Sequence, residues 1–173
     1  KPINKTKNIS EFVLIQNIPA TRTRNEGEIV PVSAKQSATV DDKIAENVID
    51  LDLSTSASAE ADSNGNTWLR VTLDRVHCVE QTIRIKENGN TFQTFTCSSE
   101  TSTCTCSGLY CNSFQLTVYI EGNTPDDLPI KPNCRYGNRV QLRQIKGGTI
   151  SKVYELSFIA AVVQGNKLYC IKI

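Results

Sequence analysis

An all-β sandwich or barrel is the fold class this sequence predicts, from three observations. Apolar residues alternate in short runs, as in Phe114-Gln-Leu116-Thr-Val118-Tyr-Ile120. Turn signals such as Asn88-Gly89 and Lys146-Gly147-Gly148 separate the runs. Helical spacing shows in a single short segment near the start. At 173 residues and 39% hydrophobic content the chain makes about one domain with a modest core. No internal repeat or low-complexity tract interrupts it.

The elements follow in order. Residues 1–27 are polar and irregular and read as an N-terminal extension or arm. Their apolar island, Phe12-Val13-Leu14-Ile15, is an extra strand, an arm that packs elsewhere, or part of a tethered terminus. The domain proper is expected over residues 28–173. Val40–Ile49 carries apolar residues at 40, 44, 45 and 48, the spacing of a short helix. Ser54–Asn66 is small and polar throughout and reads as a long loop. Trp68–Leu73 and Val76–Ile85 follow as consecutive strands, broken at Asp74-Arg75, each burying one face. Trp68 is expected as a core anchor near a sheet edge, where its ring N–H finds a partner. With Val76 and Cys78 inward, His77 faces the surface. Further strands are expected at Phe92–Cys97, 114–120, Val140–Arg143, Val153–Val163 and Leu168–Ile173.

Charge is balanced, 19 basic residues against 18 acidic, so no bulk field draws the chain to nucleic acid or an anionic membrane. The longest apolar stretch, Phe158–Val163, falls far short of the roughly 18 residues of a membrane span. Leu128 and Ile130 are almost the only large apolar residues in the loops, so membrane insertion is not expected. The chain opens on Lys1 and holds no Met, as a processed chain or a fragment of a larger protein would.

Seven cysteines are candidates for disulfides: Cys78, Cys97, Cys104, Cys106, Cys111, Cys134 and Cys170. Asn4-Lys5-Thr6 and Asn8-Ile9-Ser10 make Asn4 and Asn8 candidate glycosylation sites. Both features place the chain in an oxidising setting, secreted or on the extracellular face of the cell surface. A zinc site in the crowded Cys97–Cys111 segment is the competing reading, but the spacing is not a standard zinc pattern and His77 sits in a distant strand. The odd count leaves one thiol free or joined to another chain by an intermolecular disulfide. With one His, no Ser-His-Asp order and no Gly-rich phosphate loop, a non-catalytic chain is expected. The acids Asp41-Asp42 and Asp126-Asp127 are sequence neighbours whose side chains point apart.

Ala45-Glu46-Asn47-Val48-Ile49-Asp50, a small-polar loop, and then Asn66-Thr67-Trp68-Leu69-Arg70-Val71-Thr72-Leu73-Asp74-Arg75-Val76-His77-Cys78-Val79-Glu80 resemble the F-type lectins, or fucolectins. These belong to the discoidin-like, galactose-binding-like jelly rolls. The resemblance is specific across residues 45–85 and weaker through 114–119 and 154–163. It implies a roughly eight-stranded jelly roll with its binding loops gathered at one end. The family's fucose-gripping histidine falls near Glu60, and its R-x-D arginine near Glu87, so the standard fucose donors are missing. The family's calcium loop matches in type at Asn47 and Asp50, while the glutamate it needs in the closing strand falls at about Phe158. Calcium is therefore not required, and at most a degenerate site at Asn47 and Asp50 is implied.

Two function classes follow. The first is an extracellular recognition or adhesion domain whose end loops and stapled Cys97–Cys111 insert engage a protein partner. A disulfide-held loop is pre-organised and binds with less ordering cost, although the same bridges serve equally as braces. The alternative is a carbohydrate-binding lectin with a remodelled pocket, in which Glu60, Arg70, Arg84 or Glu87 meet glycan hydroxyls.

Overall fold

The computed structural model describes residues 20–161. Its strands are β1 (Pro31–Gln36), β2 (Ala38–Thr39), β3 (Ala57–Glu60), β4 (Thr67–Ile85), β5 (Thr91–Thr96), β6 (Thr105–Gly108), β7 (Phe114–Tyr119), β8 (Arg135–Gln144), β9 (Ile150–Val153) and β10 (Glu155–Ala160). The protein is the expected all-β sandwich, with short β2, β3 and β9 forming a small second sheet beside a seven-stranded one.

The long strand β4 organises the larger sheet. Its first half pairs with β1 and β8, and its second half with β10 and β5. Straight, a strand of its 19 residues would span about 60 Å. Instead it folds over. Thr67 pairs with Gln144 and Gln144 with Phe114, while the Arg84 guanidinium at the other end of β4 lies 5.1 Å from the Phe114 ring. Both ends of β4 therefore lie at one end of the sandwich. The bend falls at the exposed pair Asp74-Arg75, where the β8 register slips between Thr72 and His77. The strand runs on through the slip from Thr67 to Ile85, so the two expected strands are one bent strand. Gly137 faces the slip, and a Cβ there would lie 2.5 Å from Val118 Cγ1. Both halves bury into one core, which includes Leu69, Val71, Val79, Phe95, Leu116, Leu142 and Phe158. A Thr103–Thr117 bridge and the bond from Cys104 N–H to Leu116 O tie the segment before β6 to β7 and wrap the sheet toward a barrel.

Several expectations are corrected. The Ser54–Asn66 loop contains β3, whose small Ala57, Ser58 and Ala59 are buried between β2 and β9. Small residues that read as loop are those that fit a tight inner strand. The Val40–Ile49 helix shrinks to one 3-10 turn, Ala45–Val48, after Asp41 enters the left-handed region at φ 54°. Trp68 is not a core anchor: Leu69, Val71 and Leu73 take the inward face, which puts Trp68 outside and only partly buried. Its ring N–H points to Asp62 Oδ2 at 3.4 Å, and the Arg70 guanidinium lies 4.4 Å from the ring. His77, expected at the surface, is only partly exposed: its side chain is 13% exposed and its Nε2 meets Asp74 Oδ1. Val153–Val163 is not one strand, because Tyr154 separates β9 in the small sheet from β10 in the large one. Phe12–Ile15, Asn4, Asn8, Cys170 and the strand expected at Leu168–Ile173 lie outside the described residues.

Six cysteines pair as Cys78–Cys134, Cys97–Cys104 and Cys106–Cys111. The last two bridges lie within the crowded segment, and the first clasps the β4 bend to the start of β8. In the chain-entropy account, stabilisation grows with the length of the closed loop. The Cys78→Ala/Cys134→Ala pair is expected to lower the unfolding free energy by about 4 kcal/mol, and Cys97→Ala/Cys104→Ala by about 2.5 kcal/mol. Denaturant titrations of the oxidised proteins measure both.

Candidate functional site

The end of the sandwich where β4 begins and finishes carries a cleft. Its construction starts with a parity switch in β4. Val79 pairs with Ala160 and Gln81 with Ile159, which leaves Glu80 as an extra residue on β4. Beyond it the inward positions are Thr82 and Arg84. The bulge places Ile83 and Ile85 on the outer face, only partly buried. Arg84 is thereby driven into the end of the core, 5% exposed.

Arg84 is held from several sides. Its Nη1 donates to Gln93 Oε1 at 3.2 Å, and its Nη2 to the Ser151 carbonyl at 2.8 Å. Gln93 Nε2 in turn donates to the Leu109 carbonyl at 2.6 Å, which fixes the loop after β6. The guanidinium lies 4.7 Å from the Phe92 ring and 5.1 Å from that of Phe114. Burial lowers its pKa to about 10, so it stays charged at neutral pH.

The rim comes from turns. After β4, Asn88 at φ 64° and Gly89 at φ 77° reverse the chain into β5, and the Lys86 N–H donates to Asn90 O at 2.6 Å. Left-handed backbone is what Asn-Gly supplies readily. The Cys106–Cys111 bridge closes a small loop that presents Tyr110, 67% exposed, with its ring 6.1 Å from that of Phe92. A cleft of about 310 Å³ is lined by Arg84, Lys86, Glu87, Phe92, Lys152 and Tyr154, among others. A smaller hollow of about 250 Å³ continues past Arg84 and Phe92 to Tyr110 and Phe114. The Tyr154 hydroxyl donates to Glu87 Oε2 at 3.3 Å; burial, with Glu87 beside it, raises the phenol pKa and keeps the hydroxyl protonated.

Of the sequence candidates, Arg84 and Glu87 line this cleft together. Glu60 ends β3 at an exposed position, and Arg70 lies on the outer face, with its Nε donating to Gln141 Oε1 at 3.1 Å. The sequence reading missed Phe92, Tyr110, Phe114 and Tyr154. Phe92, one residue into the strand after an Asn-Gly turn, was the legible signal.

The calcium donors are committed elsewhere. Asn47 Nδ2 donates to the Ser56 carbonyl at 2.9 Å. The Asp50 carboxylate accepts the Thr55 hydroxyl at 2.6 Å and the Asp52 N–H at 3.0 Å. Phe158 is a core side chain 1% exposed, and the one buried carboxylate of the closing strand is Glu155 at its start. Glu155 Oε1 accepts the Leu51 N–H at 3.3 Å, and Oε2 accepts Arg22 Nη2 at 3.0 Å. Arg22 Nη1 also reaches Glu28 Oε1 at 2.8 Å. Calcium takes 6–8 oxygens (roughly), and among the described residues no group of three His, Cys, Asp or Glu could hold a metal. A calcium ion here would have to displace the guanidinium that pairs with the buried Glu155 carboxylate. Burial, with Asp50 nearby, raises the Glu155 pKa to about 7 despite Arg22, while Arg22 and a backbone N–H hold that of Glu28 low.

No protein-family model and no curated protein sequence matches the chain. Solved structures do. A Streptococcus pneumoniae fucose binding module aligns over 80% of this chain and 100% of its own, at 11% identity and a TM-score of 0.50. Another fucose binding module from the same organism covers 75% of this chain and 94% of its own, with 12% identity and a TM-score of 0.49. The CBM32-3 module of a Clostridium perfringens family 31 glycoside hydrolase covers 80% of this chain and 100% of its own, with 11% identity and a TM-score of 0.48. The first of these shows the fold, the discoidin-like, galactose-binding-like sandwich. The likeness stops short of the F-type lectins as a family.

Two outcomes follow. Excess calcium or EDTA leaves the thermal midpoint unchanged, whereas a native-state ion at 100 times its Kd would add about 2.7 kcal/mol. The raised Glu155 pKa makes the folded state hold its proton more tightly. That stabilisation is full below about 4.5 and is lost as pH rises through about 7. Relative to wild type, Glu155→Gln therefore gains up to about 3 kcal/mol between these limits, measured by denaturation at pH 4.5 and 8 (approximate limits).

Proposed function

We propose that this chain is a non-catalytic extracellular carbohydrate-recognition domain that takes a sugar into the cleft at Arg84, Phe92 and Tyr154. The observation that carries this reading is the pairing of aromatic faces with fixed polar groups in one concave site. Phe92 and Tyr110 offer surfaces for the C–H face of a pyranose. Glu87 accepts from hydroxyls, Arg84, Lys86 and Lys152 donate to them, and the Tyr154 oxygen, its one proton given to Glu87, accepts. Glu87 is the cleft's one carboxylate, so the acid pair that glycoside hydrolysis uses is not assembled among its lining residues.

The sequence favours a protein partner because the fucose histidine and the R-x-D arginine are missing. The cleft supplies a different polar set at the loop end, and a solved structure that shares the fold is a fucose binding module. A sugar is therefore the better reading. The paired cysteines support an extracellular setting.

A glycan array probed with the oxidised protein tests the proposal. Selective binding, unchanged by EDTA, is expected. Tyr110→Ser, at an exposed position, is expected to weaken it roughly tenfold without lowering the thermal midpoint. Silence across the array from folded protein would overturn the reading.

A further inference from the structure

We infer that the saccharide this cleft takes is an acidic one, whose carboxylate or sulfate group is received by the Arg84 guanidinium. This rests on the glycan reading above. The chain's two deeply placed arginines differ in their partners. Arg22, with a side chain 14% exposed, is flanked by the carboxylates of Glu28 and Glu155. Arg84 is buried more deeply, yet among the described residues no carboxylate lies within ion-pair distance of it. Its acceptors are neutral, an amide oxygen and a backbone carbonyl, and its Nε–H has none among the described residues. Removing a cation from water without a counter-charge is strongly unfavourable. A structural arginine would have been given an acid, as Arg22 was. Arg84 instead lines both hollows of the cleft, where an anion on a ligand completes the pair.

The surroundings suit an anion. Lys86 and Lys152 add positive charge at the rim, and the carboxylate of Glu87 is engaged by the Tyr154 hydroxyl. Lys152 is held at φ 47°, in the left-handed region, with its N–H donating to Ser58 Oγ at 2.9 Å. The Phe92 and Phe114 rings exclude water from the guanidinium, which strengthens a charge-assisted bond to an entering oxyanion.

The test compares matched ligands by calorimetry on the full oxidised chain: a galacturonate trisaccharide against its methyl ester, and 6-sulfolactose against lactose. At least one acid form is expected to bind about tenfold or more tightly than its neutral partner, with a preference that shrinks as salt is raised. The pair that responds tells a carboxylate ligand from a sulfate ligand. Arg84→Gln is expected to erase the preference with the thermal midpoint held or raised, since a buried charge without a partner is removed. A purely structural Arg84 would lower the midpoint and leave the preference intact in whatever protein remained folded. Lys152→Ala, at an exposed site, reduces the salt dependence and keeps the test decisive should Arg84→Gln fail to fold. Equal binding of acid and neutral forms would overturn this inference and leave the glycan reading standing. Binding of neither, in a chain also silent on the array, would overturn both.

Discussion

The hydrogen bonding of β4 to four different strands is the constraint on which the rest of the structure depends. β1 and β8 hold its first half, and β5 and β10 its second. A strand shared in this way has to bend, and bending brings Thr67 and Arg84 to the same end of the sandwich. The loops after β4, β6 and β8 then open around one mouth. The single extra residue at Glu80 decides what faces it. Without the bulge, Ile83 and Ile85 would fill the end of the core and Arg84 would lie in solvent.

Much of the frame was legible in the sequence, for physical reasons. Period-two alternation marks Phe114–Tyr119 directly, and Asn88-Gly89 marks the turn into β5, because left-handed backbone has few willing residues. What stayed hidden depends on contacts that no local pattern carries. Ala57-Ser58-Ala59 looks like loop until β2 and β9 close on it. The extra residue at Glu80 leaves no mark on the sequence, since a bulge exists only in the pairing of two strands. Arg84 was singled out as a candidate, but its burial and its missing counter-charge were not readable. The break at Tyr154 that divides β9 from β10 also leaves no mark on the apolar run.

The two arginines show how one side chain serves opposite ends. Arg22 lies between Glu28 and Glu155, so the segment before β1 is fastened to β10 by charge. Satisfied on both sides, it offers nothing to a ligand. Arg84 has aromatic faces and neutral acceptors around it, and its charge remains directed into the cleft. The protein thus keeps one guanidinium for cohesion and holds the other in readiness.

The Cys78–Cys134 bridge has a mechanical consequence. Every residue from Val79 to Asn133 lies inside the covalent loop it closes, including Arg84, Phe92, Tyr110 and Phe114. Tension applied to the two chain ends passes through the sulfur–sulfur bond and bypasses that segment. While the bridge holds, no pull on the ends can lengthen the segment that carries Arg84 and Phe92, whereas Ser151, Lys152 and Tyr154 lie outside the loop and on the loaded side.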